Sequence, residues 1–390
     1  MEPEASTLLD GVHVVDWGMN IAGPYAATIL AEFGAEVVKI EPPEGDSARS
    51  YPPFSGGIST LFATVNRGKR YAALNLKDER ARSALMKPIL CWADVVIQNL
   101  RPGTATSLGI DASQCHAVNP RLIHASVEAF YPDGGSRPGY DLMVQAESGI
   151  MSLTGESGAP PSRLPGSLLD YITGMWTALG IVAALRGPRE NATVQITMLD
   201  AALSLIGDKV AAYLLTGDIP KRMGSALSTT TPHQAFATSD GEVVVGAAND
   251  RLFQRFAGEV DESMRTDPRY ATQESRLANR EALTTQAVRA LATTSTDLWL
   301  ERLEAAGVPV ARIRDLPDAV ERHRAMSRTG IVRIEGTEIE VVASPLSMPD
   351  GVPLHKPGGL GSDSSEVFRG LAGLSELEYS QLVVDGVVVE

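Results

Sequence analysis

Val12-His13-Val14-Val15-Asp16-Trp17 reads as a buried strand, and Glu36-Val37-Val38-Lys39-Ile40-Glu41 reads as a second, stopped by Pro42-Pro43. Between them Gly23-Pro24 opens a helix, with Pro at a first helical position where its missing N–H costs nothing. Ala26, Ile29, Leu30 and Phe33 follow at helical spacing, and Gly34 ends the helix. Strand, helix and strand make a βαβ unit, which implies a right-handed crossover in a parallel sheet.

The same alternation continues along the chain. Tyr71 to Leu76 is a strand, Asp78 to Trp92 a helix, and Asp94 to Gln98 and Leu122 to Val127 are further strands. Gln195 to Met198 closes the set, and Leu199, Leu203, Ile206, Val210 and Leu214 then line one face of a helix. The class is therefore α/β, with a Rossmann-like large domain around a parallel sheet. Near Gly217 the pattern changes. Lys221 to Pro232 is a polar linker, and charged helices around a short strand block form a smaller α+β domain. The expected boundaries are 1–220 for the first part of the large domain, 221–330 for the small domain, and 331–390 for a C-terminal segment.

Composition narrows the function. The net charge of −14 argues against a nucleic-acid partner, because phosphate binding wants an excess of Lys and Arg. Cys91 and Cys115 form no disulfide or metal framework, so a reducing cytoplasm is the expected setting. Met1-Glu2-Pro3-Glu4 lacks the apolar core of a secretory signal. The apolar run Met175 to Leu185 is too short to span a bilayer, so no membrane is expected. The six histidines show no metal-ligand spacing, and neither H-E-x-x-H nor G-x-S-x-G occurs. The turn Trp17-Gly18-Met19-Asn20-Ile21-Ala22-Gly23-Pro24 lacks G-x-G-x-x-G, so a nicotinamide or flavin is not expected either.

Four stretches carry candidate chemistry. Asn66-Arg67-Gly68-Lys69-Arg70 concentrates cations beside a glycine, a pattern that suits phosphate oxygens or a solvated surface. Gln98-Asn99-Leu100-Arg101-Pro102-Gly103 follows a strand, where α/β sheets collect ligands and where plain turns also occur. In Gly139-Tyr140-Asp141, both side chains can exchange protons in a site or cap the helix that follows. Asp170, in Leu168-Leu169-Asp170-Tyr171-Ile172-Thr173-Gly174, stands where a loop turns into a long apolar helix. Read locally, it is a helix cap.

Taken in order, these fragments resemble the class III coenzyme A-transferase family, also called the CaiB/BaiF type, which includes formyl-CoA and carnitine CoA-transferases and α-methylacyl-CoA racemases. The likeness rests on Ala22-Gly23-Pro24, Phe33 to Glu41, Asn66 to Arg70, Ala93-Asp94-Val95 through Gly103, Asn119 to Ile123, Gly139-Tyr140-Asp141, Pro232 to Phe236 and Val308-Pro309-Val310.

The resemblance implies that Asp170 is the nucleophile, flanked by Tyr140 and Asp141. Coenzyme A would pass from an acyl-CoA to a carboxylic acid through mixed-anhydride and aspartyl-CoA thioester intermediates. A helix N-terminus would favour the ionised form of Asp170. Lys39, Asn66, Arg67, Lys69, Arg70, Asn99 and Arg101 would hold the CoA, with no metal and no redox cofactor. The resemblance also implies an interlocked, ring-like homodimer whose C-terminal segment returns to the large domain. The rival readings are a racemase and a CoA-binding homologue without catalysis. A racemase would carry His where this chain has Tyr140, and Tyr is a poor base near neutral pH.

Overall fold

Seven strands build the main sheet in the computed structural model, which describes residues 7–101, 103–131, 137–326, 330–346 and 355–390. Met1 to Glu4 and Pro102 therefore lie outside the described residues. Six of the strands are β1 (His13–Asp16), β2 (Glu36–Glu41), β3 (Arg70–Leu74), β4 (Val95–Gln98), β5 (Ile123–Glu128) and β6 (Thr193–Thr197). All six are parallel, in the order β3-β2-β1-β4-β5-β6. Val388–Val389 adds an antiparallel edge beside β3, pairing Val388 with Leu74. The order reverses between β1 and β4, and loops leaving the carboxyl ends of these two strands flank a crevice.

Strand alternation fills both faces of the sheet. Val14, Val37, Val95 and Ile123 pack against helix α1 (Ala22–Glu32) and a later long helix. Val15, Ile40, Leu74 and Val96 pack on the other side with Leu85, Ile89 and Phe368. The long helix is α3 (Leu168–Leu185), preceded in the chain by the short α2 (Asp141–Glu147). At their crossing α1 and α3 approach closely: a Cβ on Gly174 would sit 2.8 Å from the Ala22 carbonyl oxygen. Only glycine permits that approach, and it brings the first turn of α3 next to the start of α1. The helix is longer than the apolar run seen in the sequence, and by length and composition alone it is apolar enough to cross a bilayer. Thr173, Gly174, Thr177, Ala178 and Ile181 are buried, whereas Met175, Trp176 and Leu179 are exposed.

Two sequence expectations shift locally. The last parallel strand ends at Thr197, whose hydroxyl accepts the Asp200 N–H and caps a helix beginning at Met198. The single helix expected beyond it is two, Met198–Leu205 and Gly207–Thr216, broken at Ile206.

The chain divides into two units. The larger comprises Met1–Ile150, Arg163–Gly217 and Met326–Glu390, and the smaller Met151–Ser162 and Asp218–Ala325. Residues 151–162, which the sequence reading places in the large domain, cluster with the smaller unit. Its three-stranded antiparallel sheet (His233–Ala237, Glu242–Gly246, Val310–Arg312) packs helices on a core that includes Phe236, Phe253, Phe256, Leu283 and Trp299. Arg276 is fully buried there. It donates to the carbonyls of Thr231 and Tyr270 and to Asp250, and it lies over the Phe253 ring.

Candidate active site

Within the larger unit, a cavity of about 520 Å³ opens beyond the carboxyl ends of β1, β4 and β5. The β1 loop supplies Met19 to Ala22, the β4 loop Asn99 to Arg101, and the β5 end Val127 to Phe130. The α2 approach brings Gly139 to Leu142, and the α3 approach brings Arg163, Ser167 and Asp170.

The β1 loop is held from below by buried charge. Lys39 and Lys69 are buried with Asp16 and Asp46. Lys39 Nζ contacts Asp46 at 2.9 Å and donates to the Gly18 carbonyl at 2.7 Å. Lys69 Nζ donates to Asp16 at 2.8 Å, to the Pro24 carbonyl at 2.7 Å and to Asn66 Oδ1 at 2.9 Å. Burial alone would raise the Asp16 carboxyl, but Lys69 and Lys39 outweigh it and hold the group below its usual range. The loop above takes its shape from these groups. Gly18 donates to Asp16, and a Cβ there would meet both Asp16 Oδ1 and Pro24 at 2.7 Å. Asn20, in the left-handed region at φ 61°, donates its N–H to Asp46. The Asn99 amide closes the arrangement by accepting the Met19 N–H at 2.7 Å and donating to the Met19 carbonyl at 2.8 Å.

The expected CoA ligands of the basic loop, together with Lys39, are engaged within the protein. Lys39, Asn66 and Lys69 sit inside the ion-pair cluster. Arg67 pairs with Glu32 at 2.9 Å, and Arg70 with Glu36 at 2.7 Å and Glu366 at 3.1 Å. None of the five lines the cavity. The cations of the loop, Arg67, Lys69 and Arg70, pair with acids distant in sequence, which a local reading of the motif does not reveal.

Asp170, Tyr140, Asp141, Asn99 and Arg101 do meet at the cavity. Asp170 occupies the first turn of α3 but does not cap it. The orphan N–H of Leu169 goes instead to the buried Asp141 carboxylate, at 2.7 Å. Gln145 braces this contact: its amide donates to Asp141, and its carbonyl accepts the Leu164 N–H at 2.7 Å. Among the described residues no donor reaches the Asp170 carboxylate, which is left facing the cavity. Burial, then the nearby Asp141 charge, push its carboxyl up to about 7. Desolvation and a like charge thus work against the ionised form that a helix N-terminus favours. Tyr140 is 62% exposed at the rim. Arg101 is exposed and unpaired among the described residues.

Sequence reasoning missed several lining groups. Glu128 ends β5 and faces the cavity, as do Arg137, paired with Glu147 at 2.7 Å, and Arg163, which donates to the Gly166 carbonyl at 2.7 Å. A second, smaller slot of about 130 Å³ lies beyond β1, β2 and β3, walled by Trp17, Ile40, Leu74, Leu76 and Leu108, with Asn75 and Lys77 beside them. Met19 and Leu100 line both spaces. The signal that exposes Asn99 and Arg101, a polar residue just past a strand, marks Glu128, Asn75 and Lys77 equally. Among the described residues no cluster of three or more His, Cys, Asp or Glu is placed to hold a metal.

Comparison with known proteins fits this geometry. A model of CoA-transferase family III matches residues 9–363. The chain is 35% identical to the acetyl-CoA:oxalate CoA-transferase of Acetobacter aceti, over 84% of this chain and 86% of that protein. It is 32% identical to the succinyl-CoA:mesaconate CoA-transferase of Haloarcula hispanica, over 90% of this chain and 92% of that protein. The crystal structure of a CaiB/BaiF family protein from Brucella suis superposes with a TM-score of 0.81 at 29% identity, covering 94% of this chain and 99% of that one.

Proposed function

The chain belongs to CoA-transferase family III, and from that premise we propose that it moves coenzyme A from an acyl-CoA to a carboxylic acid by covalent catalysis on Asp170. The observation that carries this reading is the Asp170 carboxylate itself: without a hydrogen-bond partner among the described residues, partly buried and facing a cavity at the carboxyl end of the sheet.

The steps balance without an outside reagent. Ionised Asp170 attacks the thioester carbonyl; the C–S bond breaks, CoA leaves as thiolate, and a mixed anhydride remains. The thiolate attacks the Asp170 carbonyl, releases the donor acid and leaves an aspartyl-CoA thioester. The acceptor carboxylate attacks that thioester to form a second anhydride and free the thiolate again. The thiolate then takes the acceptor's acyl carbonyl and restores Asp170. Burial of the nucleophile keeps water from the anhydride and raises the energy of the bare carboxylate, which makes it more reactive once ionised.

The paired cavities suit an elongated substrate. The apolar slot takes a flat heteroaromatic ring, with Lys77 near its anionic groups. The shared wall at Met19 and Leu100 passes the flexible arm, and Arg101 meets a phosphate or carboxylate near the larger cavity. A second copy of the chain fits the exposed apolar side chains Met175, Trp176, Leu179, Leu214 and Leu215 on the helices around Asp170 and beyond. The free Cys91 and Cys115 suit a reducing compartment.

Incubation with acyl-CoA followed by hydroxylamine or borohydride should place a mass change on Asp170. Full turnover in Asp170→Ala, with no adduct on the wild-type residue, would overturn the reading.

A further inference from the structure

Strand alternation separates the last two residues of β5. Val127 turns toward α3 and packs with Leu169 and Met198, so Glu128 leaves the strand on the opposite side, and both line the cavity. The Glu128 carboxylate is partly buried, and among the described residues it has no hydrogen-bond donor and no cation. Its chain neighbours on the wall, Val127, Ala129 and Phe130, are apolar. Burial alone pushes its carboxyl above the usual range.

Most other polar groups on this wall are already engaged. Asp141 holds Leu169, Asn99 holds Met19, Arg137 holds Glu147, and Arg163 holds the Gly166 carbonyl. A half-buried carboxylate without a protein partner costs free energy. The cost is recovered when a bound molecule brings a donor.

Sheet order identifies which part of the substrate arrives there. The slot proposed for the ring lies past β3, β2 and β1, whereas Glu128 lies past β5, beyond β4. At about 4.8 Å between strands, β5 stands roughly 10 Å from β1. With the thioester at Asp170 and the nucleotide end in the slot, the group that reaches Glu128 belongs to the acyl chain.

We propose that Glu128 determines acyl specificity, accepting a hydrogen bond from a hydroxyl or ammonium carried on the acyl chain near the thioester. The preferred acids thus bear a hydrogen-bond donor, and unsubstituted acids of the same length are poorer. This inference rests on the transferase reading.

The test compares acceptor acids of equal chain length against one acyl-CoA donor: butyrate, 3-hydroxybutyrate, 4-aminobutyrate and succinate. Each is measured as kcat/KM in the wild type, Glu128→Gln and Glu128→Ala. The wild type should favour a donor-bearing acid over butyrate by about 10- to 100-fold. Glu128→Ala should bring that ratio to within about twofold. Glu128→Gln, which keeps a carbonyl acceptor, should retain part of a hydroxyl preference and lose an ammonium preference, which separates the two sources. Equal ratios in wild type and Glu128→Ala would overturn the proposal while leaving the transferase reading intact. So would a preference for succinate in both, or loss of all turnover in both variants. Absence of transfer to every acid by the wild type would overturn both.

Discussion

The Asp141 carboxylate accepts the Leu169 N–H at 2.7 Å, so the helix that presents Asp170 is capped by an acid from another helix. The cap and the proposed nucleophile are two different carboxylates. Placed close together, they raise the proton affinity of the one left free. In the proposed mechanism ionised Asp170 is the reactive form, so kcat/KM should climb with pH and level off above an apparent pKa near 7. Asp141→Asn keeps an oxygen for the cap and removes the charge. The rising limb should move to lower pH, but only in part, because burial is the larger cause and remains. Asp141→Ala removes the cap as well and should cost about 1 kcal/mol of stability. A pH–rate profile beside a denaturant titration separates the two effects.

Asp170 should lower stability at neutral pH. Its folded pKa lies above the unfolded value of 3.8, so the native state holds the proton more tightly than the unfolded chain. Stability from this group is greatest below about pH 4 and declines as pH rises toward 7. Asp170→Asn should therefore match the wild type in acid and exceed it above pH 7. The gain should be on the order of 1–2 kcal/mol after discounting for partial exposure. Denaturation midpoints at pH 4, 6 and 8 check the trend.

Arg67 and Arg101 should behave as opposites. Arg67 is buried against Glu32, so Arg67→Ala leaves an acid without its cation and should cost about 3 kcal/mol with little change in KM for acyl-CoA. Arg101 is exposed at the cavity and unpaired among the described residues, so Arg101→Ala should leave stability within about 0.5 kcal/mol. Its KM for acyl-CoA should rise roughly tenfold, the loss of one charge-assisted contact. Thermal midpoints and CoA titration calorimetry read the two out.

Lys39→Met should be more damaging than its conservative volume suggests. It strands Asp46 and removes the donor to the Gly18 carbonyl, a loss of about 3–5 kcal/mol for a broken buried pair. Urea denaturation measures the loss. Arg80→Ala, which breaks exposed pairs to Asp78 and Asp385, is the control, with a urea midpoint close to that of the wild type.

Local periodicity carries the parallel strands, because the central ones are short apolar runs that the sheet buries on both faces, while the edge strand Thr193–Thr197 stays partly exposed. It carries α1 and the position of Asp170 at the head of α3 for the same reason. Partnership between charges is not local. Lys69 reads locally as a phosphate ligand or a solvated charge, and its buried pairing with Asp16, from the first strand, leaves no mark on the motif. The cap on α3 is hidden likewise, since Asp170 has the right residue type and place, yet Asp141 reaches the free N–H. Residues 151–162 show no compositional break that would mark their clustering with the smaller unit.

The division of the chain bears on the order of folding. Every residue lining the larger cavity falls between Met19 and Met198, before the main excursion into the smaller unit at Asp218–Ala325. Closing an unstructured loop of that length costs on the order of 4 kcal/mol. If the excursion is already folded, its ends are held by its own structure and most of that entropy has been lost beforehand. The parallel strands and the crevice that holds Asp170 can thus assemble early from contiguous chain, while the antiparallel edge Val388–Val389 is best added after the inserted unit has collapsed. Defects in the smaller unit's core, at Phe253 or Trp299, would then slow completion of the sheet without touching a single residue of the cavity.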